Sequence, residues 1–266
     1  MDLGLQGKVV LVTGGASGIG EAIARTFADE LAVIVIADRD AKRGKAVESD
    51  LRADGATSEF VETELTNEAA VRRLVERIET NHGRLDVVVN NAAVNDGAGI
   101  DSGVAAFRRS LETNLIAPYS VVHFARALLR TGSGAIVNVG SKVADTGQGG
   151  TNGYAASKGG LKALTREWAV ELSQDGVRVN TVVPAEVWTP QYAWWLDHHS
   201  ENPEAARREI DELVPLGRRM TTPQEVADTV VFLASTRAAH VTGQIIYVDG
   251  GYTHLDRAMT VKRKYL

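Results

Sequence analysis

Three side chains in one short stretch are of types that do chemistry together. From Ser141 to Lys158 the sequence reads SKVADTGQGGTNGYAASK, with a hydroxyl at Ser141, a phenol at Tyr154 and an ammonium at Lys158. Tyr154 and Lys158 are four residues apart in a run of helical pattern, which places them on one face. Free tyrosine titrates near pH ~10, and a cation beside it favours the phenolate. The pair therefore predicts a lowered phenol pKa and a general acid or base near neutral pH. The same spacing is common on solvated faces, so the rest of the chain must supply what such a group would act with.

The elements around this stretch alternate. Lys8–Val12 reads as a buried strand and runs into Thr13-Gly-Gly-Ala-Ser-Gly-Ile-Gly20, followed by helical pattern to about Asp29. Gly14, Gly18 and Gly20 allow a tight turn, close approach of backbone to a pyrophosphate, and packing of helix on sheet, with helix N-terminal amides facing the phosphates. The spacing is G-x-x-x-G-x-G, a variant of the more familiar dinucleotide pattern. A second strand, Ala32–Ala37, ends at Asp38, 18 residues past Gly20, where a carboxylate takes the ribose hydroxyls of NAD and repels the 2′-phosphate of NADP. Arg39 beside it is able to accommodate a phosphate, and the balance favours NAD.

Helix is expected over Ala41–Ala53, Asn67–Asn81, Ser102–Arg130, Thr151–Leu172 and Pro223–Ala234. Strands are expected at Ser58–Thr63, Asp86–Asn90, Gly134–Val139, Val177–Val183 and Gln244–Val248. Strand–helix units of this length predict an α/β fold, a single Rossmann-type doubly wound parallel sheet with helices on both faces. One domain is expected over residues 1–266, with a dinucleotide-binding part (1–140) and a catalytic, substrate-binding part (141–266). Gln191–Leu213 interrupts the alternation with Tyr192, Trp194 and Trp195, and is read as a long loop forming a substrate-covering lobe at about 190–214.

Composition excludes several classes of function. There is no cysteine among the 266 residues, which removes disulfides, thiolate catalysis and zinc–thiolate sites. Net charge is −5 with both signs intermixed, and the basic run Lys262–Lys264 is too short to argue for nucleic acid. No basic leader with an apolar stretch opens the chain and no apolar run reaches membrane-spanning length, so a soluble cytoplasmic protein is expected. The histidines are scattered or, at His198 and His199, adjacent, and no metal site is expected.

Several independent motifs occur in a fixed order: TGGASGIG at 13–20, NNAA at 90–93, Asn114, Ser141, YAASK at 154–158 and VDGG at 248–251. On these the chain resembles the short-chain dehydrogenase/reductase family over essentially its whole length. The resemblance implies that Tyr154 is the general acid/base, that Lys158 lowers its pKa and binds the nicotinamide ribose, and that Ser141 hydrogen-bonds the reacting oxygen. It implies that Asn114 holds a helix carbonyl and a water in a proton relay. It places Gly14, Ser17, Gly18, Ile19, Gly20, Asp38, Asn91, Ala92, Pro184, Val187 and Thr189 on the dinucleotide, with Asn90 supporting that wall. Glu64 and Leu65 stand where an Asp-hydrophobic pair flanks adenine. Ala93 and Ala185 replace glycines of the family pattern, and Glu186 puts a carboxylate beside the nicotinamide. A homotetramer is also implied, and the small residues Ala155, Ala156, Gly159, Gly160 and Ala163 are read as a helix–helix subunit contact.

A narrower likeness, carried by VNDG at 94–97, TGQG at 146–149, LTREWA at 164–169, PAEV at 184–187 and DGGYTHLDRA at 249–258, is to bacterial L-fucose dehydrogenases. It implies NAD-dependent oxidation of the anomeric hydroxyl of a monosaccharide to a lactone. Asn95, Asp96, Lys142, Gln148 and Glu186 offer polar contacts for a sugar, and Trp188 or Tyr192 offers a face to stack on its ring. Two alternatives stay open. One is a dehydrogenase of the same fold acting on a steroid, a 3-oxoacyl thioester or another secondary alcohol; the other is a dinucleotide-binding regulator that does no chemistry.

Overall fold

The computed structural model describes residues 1–130 and 134–255; the basic run Lys262–Lys264 and the last residues of the 249–258 motif lie outside them. Seven parallel strands form one sheet in the order β3-β2-β1-β4-β5-β6-β7. They are β1 (Val9–Thr13), β2 (Val33–Asp38), β3 (Ser58–Glu62), β4 (Val87–Asn90), β5 (Ala135–Val139), β6 (Arg178–Pro184) and β7 (Ile245–Val248). The central strands VVLVT, VVVN and AIVNV are buried along their whole length, as expected where both faces are covered.

The period of two then divides each strand between two cores. Val10, Val12, Ile34 and Ile36 point to one, with α1 (Gly18–Asp29), α2 (Ala41–Ala53) and the late helix Pro223–Ala234 above them. Val9, Leu11, Val35 and Ala37 point to the other, beneath α3 (Glu68–His82) and, further along, the helices Ala117–Leu129 and Asn152–Glu171. Each fully buried aliphatic side chain contributes about 1.5–3 kcal/mol. Caps start the helices where the sequence turns polar: Asp40 accepts from Arg43 N at 3.0 Å and Asn67 from Ala70 N at 3.1 Å.

Two expectations are corrected. Ser102–Arg130 is not one helix: α4 (Gly103–Leu111) passes through a π-turn at Glu112–Ile116 before α5 (Ala117–Leu129). A π-turn widens the helix by one residue, and this one carries Asn114. The 190–214 region is not a loop either. After the short α6 (Val143–Thr146) and α7 (Asn152–Glu171), it forms α8 (Pro190–His199) and α9 (Pro203–Glu212), each begun by proline behind a capping Thr189 or Asn202. The last helix is α10 (Pro223–Ala234). Other boundaries agree with the sequence reading to about one residue.

Candidate active site

Chain order in the sheet reverses between β1 and β4, and at such a switch point the turns after neighbouring strands diverge and leave a crevice. Here it is a cleft of about 760 Å³ over the carboxyl ends of the strands. Its walls come from the turns after β1 (Gly14, Ser17–Gly20), β2 (Asp38), β3 (Glu64, Leu65), β4 (Asn91, Ala92), β5 (Ser141) and β6 (Pro184, Val187, Thr189), together with Tyr154 and Lys158 of α7.

One end is built for phosphates and a ribose. Gly14 and Gly18 have φ of 66° and 58°, the left-handed region that favours glycine. A Cβ on Gly20 would come within 2.0 Å of the Gly14 carbonyl oxygen, so only glycine allows α1 to start this close to the turn. Ser17 caps α1 in extended conformation without spending its hydroxyl on the helix, leaving it and the first-turn amides available to an anion. The turn is held from behind: Asn91 Nδ2 donates to Thr13 O at 3.0 Å and Gly14 O at 3.1 Å. Asp38 is fixed at the wall by accepting from Ala16 N at 3.2 Å and Asp40 N at 3.0 Å. This set fits a nicotinamide dinucleotide: amides and glycines for the pyrophosphate, a carboxylate for ribose hydroxyls. Arg39 and Arg43 line the same end. Arg43 was not assigned from the sequence; its place in the first turn of α2, three residues past the Asp40 cap, is the signal that could have found it.

At the other end Ser141, Tyr154 and Lys158 converge. Both Ser141 and Tyr154 line the cleft, and the serine hydroxyl is close enough to lower the phenol pKa. Lys158 is buried, donates from Nζ to the Val139 carbonyl at 2.7 Å, and lies 5.6 Å from the centre of the Tyr154 ring. The expected direction of the phenol shift is corrected. Burial pushes the Tyr154 phenol up and the Ser141 hydroxyl pulls it only part of the way back. Burial also pushes the Lys158 ammonium down to about 8. Desolvation penalises the charged form of both groups, and it is the largest cause for each.

Asn114 is nearly inaccessible, and its amide is spent on the neighbouring turn. It accepts from Val94 N at 2.8 Å and donates to Val94 O at 2.9 Å, a two-point clamp on the wall of the cleft. Asn90 reaches away from the cleft, donating to Asn138 Oδ1 at 2.8 Å. Thr189 accepts from Tyr192 N at 3.1 Å as the cap of α8, which leaves its hydroxyl hydrogen for a ligand.

The residues read as sugar contacts are only partly brought to the cleft. Tyr192 lines it, as does Trp194 of the lobe. Asn95, Asp96 and Gln148 are exposed and outside the lining. Asp96 is engaged by Ala98 N at 3.3 Å and Ser110 Oγ at 3.2 Å. Glu186 is bound by Lys142 and by the Tyr192 hydroxyl, and Trp188 lies under the Arg207 guanidinium at 3.8 Å. Val94 and Thr113 line the cleft without having been assigned; their adjacency to NNAA and Asn114 was the available signal. Among the described residues no cluster of acidic and histidine side chains stands together as a metal site.

A family model described as enoyl-(acyl carrier protein) reductase matches residues 14–253. The L-fucose dehydrogenase of Oryctolagus cuniculus is 42% identical over 247 residues, covering 92% of this chain and 84% of that protein. The cis-4-hydroxycyclohexanecarboxylate dehydrogenase of Sinomonas cyclohexanicum is 39% identical over 92% of this chain and 96% of that protein. The ligand-free aldohexose dehydrogenase of Thermoplasma acidophilum superposes with a TM-score of 0.87 at 30% identity, over 96% of this chain and 98% of that one. Agreement in sequence and in structure over nearly the full chain makes this protein a member of the short-chain dehydrogenase/reductase family, an NAD(P)-dependent oxidoreductase.

Proposed function

We propose that the protein is an NAD-dependent sugar dehydrogenase that oxidises the anomeric hydroxyl of L-fucose or a related aldose to the lactone. The observation that carries the chemistry is the convergence of Ser141 and Tyr154 at one end of the cleft, with Lys158 buried behind the phenol and the phosphate-binding turn at the other end. The similarity to L-fucose and aldohexose dehydrogenases supports the substrate class.

The nicotinamide supplies the hydride acceptor when bound. The protein's own groups do the rest. In its deprotonated form, which burial disfavours in the ligand-free protein, Tyr154 takes the proton of the anomeric hydroxyl as the C–H hydride leaves, so that a C=O forms and one proton and one hydride depart. Ser141 holds the substrate oxygen while it acquires carbonyl character. Lys158 anchors through Val139 O and places positive charge behind the ring. Pro184, Val187 and Thr189 form the wall that fixes which face of the ring meets the substrate. Asp38 favours NAD, and Asn114 serves by clamping the Val94 turn.

One observation favours a second reading, a dehydrogenase of another secondary alcohol. Asn95, Asp96 and Gln148 stand outside the cleft, while Val94, Tyr192 and Trp194 line it, and the Sinomonas relative acts on a cyclohexane ring. A panel of aldoses including L-fucose and D-arabinose, against cyclohexanols, steroids and 3-hydroxyacyl thioesters, each with NAD and NADP, separates the readings by NAD(P)H absorbance. The sugar reading expects kcat/KM highest for an aldose with NAD; turnover of cyclohexanols alone overturns it. The tetramer is proposed on the family likeness and on apolar side chains exposed along α4, the π-turn and α5 (Val104, Phe107, Ile116, Tyr119). The small face of α7 is in part used within the chain, since Gly160 packs against Leu115. Light scattering showing a monomer at micromolar concentration contradicts the assembly.

A further inference from the structure

Immediately after the catalytic serine stands a buried cation. Lys142 is 7% exposed, and its ammonium contacts Glu186 Oε1 and lies 4.1 Å from the centre of the Tyr252 ring. The second oxygen of the same carboxylate accepts from the Tyr192 hydroxyl at 2.8 Å. Tyr192 belongs to the first turn of α8 and forms part of the cleft wall, whereas Lys142 and Glu186 are not in that wall. Both backbones are also tied to the sheet side of the molecule: Lys142 N donates to Pro184 O at 3.2 Å, and Thr221 N donates to Glu186 O at 2.9 Å. The carboxylate thus links the Ser141 segment to the lobe helix through their side chains.

Burying an ion pair is expensive, and hydrophobic side chains of similar volume are often as stable or more so. What the pair supplies here is direction. A charged carboxylate held by an ammonium on one side presents a strong acceptor on the other, and the phenol of Tyr192 has one hydrogen to give it. That fixes the ring torsion and the distance between the substrate wall and the serine. Burial and the Glu186 charge both push the Tyr192 phenol far above its ordinary value, so it stays a neutral donor throughout the working range of pH.

We propose that Lys142 and Glu186 are positioning residues for the substrate. Through the Tyr192 hydroxyl they hold the first turn of α8 in fixed relation to Ser141, and so set substrate affinity without touching substrate or cofactor. The proposal deepens the dehydrogenase reading and its kinetic arm rests on it.

Tyr192→Phe removes one hydroxyl and keeps the ring, and Glu186→Gln keeps an acceptor for Tyr192 but loses the charge that binds Lys142. Each is expected to raise KM for the best substrate of the panel by about tenfold, with kcat within about threefold and the NAD dissociation constant unchanged. The double variant is expected to be no worse than the more affected single one, because both break the same link. Effects that multiply in the double variant, an unchanged KM, or a parallel loss of NAD affinity each overturn the proposal. Ser235→Ala, which removes the cap of the turn Thr236–Ala238 beside Arg178, at the opposite end of β6 from Glu186, is the control for lost stability alone; a KM rise in it equal to that of Tyr192→Phe also overturns the proposal. Hydrogen exchange of the ligand-free protein decides independently of any substrate. Tyr192→Phe is expected to speed exchange in α8 and leave α1 unchanged, and equal rates in α8 sink the link. If no aldose is a substrate but exchange in α8 responds, the sugar reading fails and the link stands. Should Glu186→Gln not fold, Tyr192→Phe with Lys142→Met carries both arms.

Discussion

At the scale of single residues the site is governed by desolvation. Tyr154→Phe is expected to lower kcat by about 10²–10⁴-fold, the range for loss of a general acid/base, while NAD binding measured by fluorescence titration stays within about twofold. In the ligand-free protein the ultraviolet difference titration of wild type against Tyr154→Phe should show this phenol ionising above the ordinary tyrosine range, because burial raises it. Lys158 gives a prediction with the opposite sign for stability and activity. Its folded pKa of about 8 lies below the ordinary lysine value of 10.5, so at neutral pH the native state carries a buried charge that the unfolded state solvates. Between those values the unfolded chain binds more protons, and stability from this group rises with pH. Lys158→Met is therefore expected to abolish turnover yet stabilise the fold near pH 7 by up to about 3 kcal/mol, the gain fading as pH rises past about 8 toward 10.5. Urea titrations of both proteins at two pH values read this directly.

At the scale of elements, the start of α1 is where fold and function meet. Gly20→Ala places a methyl on the Gly14 carbonyl. Backbone shifts of this kind cost about 1–3 kcal/mol, and here they displace the amides that face a pyrophosphate. A lower melting temperature together with at least about a tenfold weaker NAD dissociation constant is expected; undisturbed NAD affinity would refute the role of this turn. Helix α10 offers a contrast. Thr222 and Glu225 form a capping box, and Thr222→Ala is expected to cost about 1 kcal/mol of stability with kcat unaltered. The π-turn at Glu112–Ile116 is a third kind of element, an irregularity that presents Asn114 to Val94 from within a helical run.

At the scale of the molecule, the cofactor cleft spans both halves of the sheet, so ligand binding is linked to global stability. At about 100 times its dissociation constant NAD is expected to add about 2.7 kcal/mol to unfolding, or roughly 5–10 °C in melting temperature. NADP at the same concentration should add less, because Asp38 faces the ribose end with its carboxylate already fixed by two amides. An equal shift with NADP would show that Arg39 and Arg43, not Asp38, decide the preference. No helix among the described residues is long and apolar enough to cross a membrane.

Much of the fold is legible in the order of residue types along the chain. The alternation of β-branched runs with helical periods determined seven parallel strands and their flanking helices, because burial on both faces leaves little freedom in what a strand can be made of. The Gly14–Gly20 turn, Asp38 and the Ser141–Tyr154–Lys158 set were readable for a similar reason: each depends on spacing along one or two adjacent elements. Tertiary structure decided what depends on distance between elements remote in sequence. It tied Glu186 to Lys142 across 44 positions, removed Asn95, Asp96 and Gln148 from the cleft, and brought Trp194 in on a helix that the sequence presents only as an insertion. It also reversed the expected shift of the Tyr154 phenol. Spacing brings a cation near a phenol, but how much water surrounds the two is set by the whole fold, and for buried charges that term is the larger one.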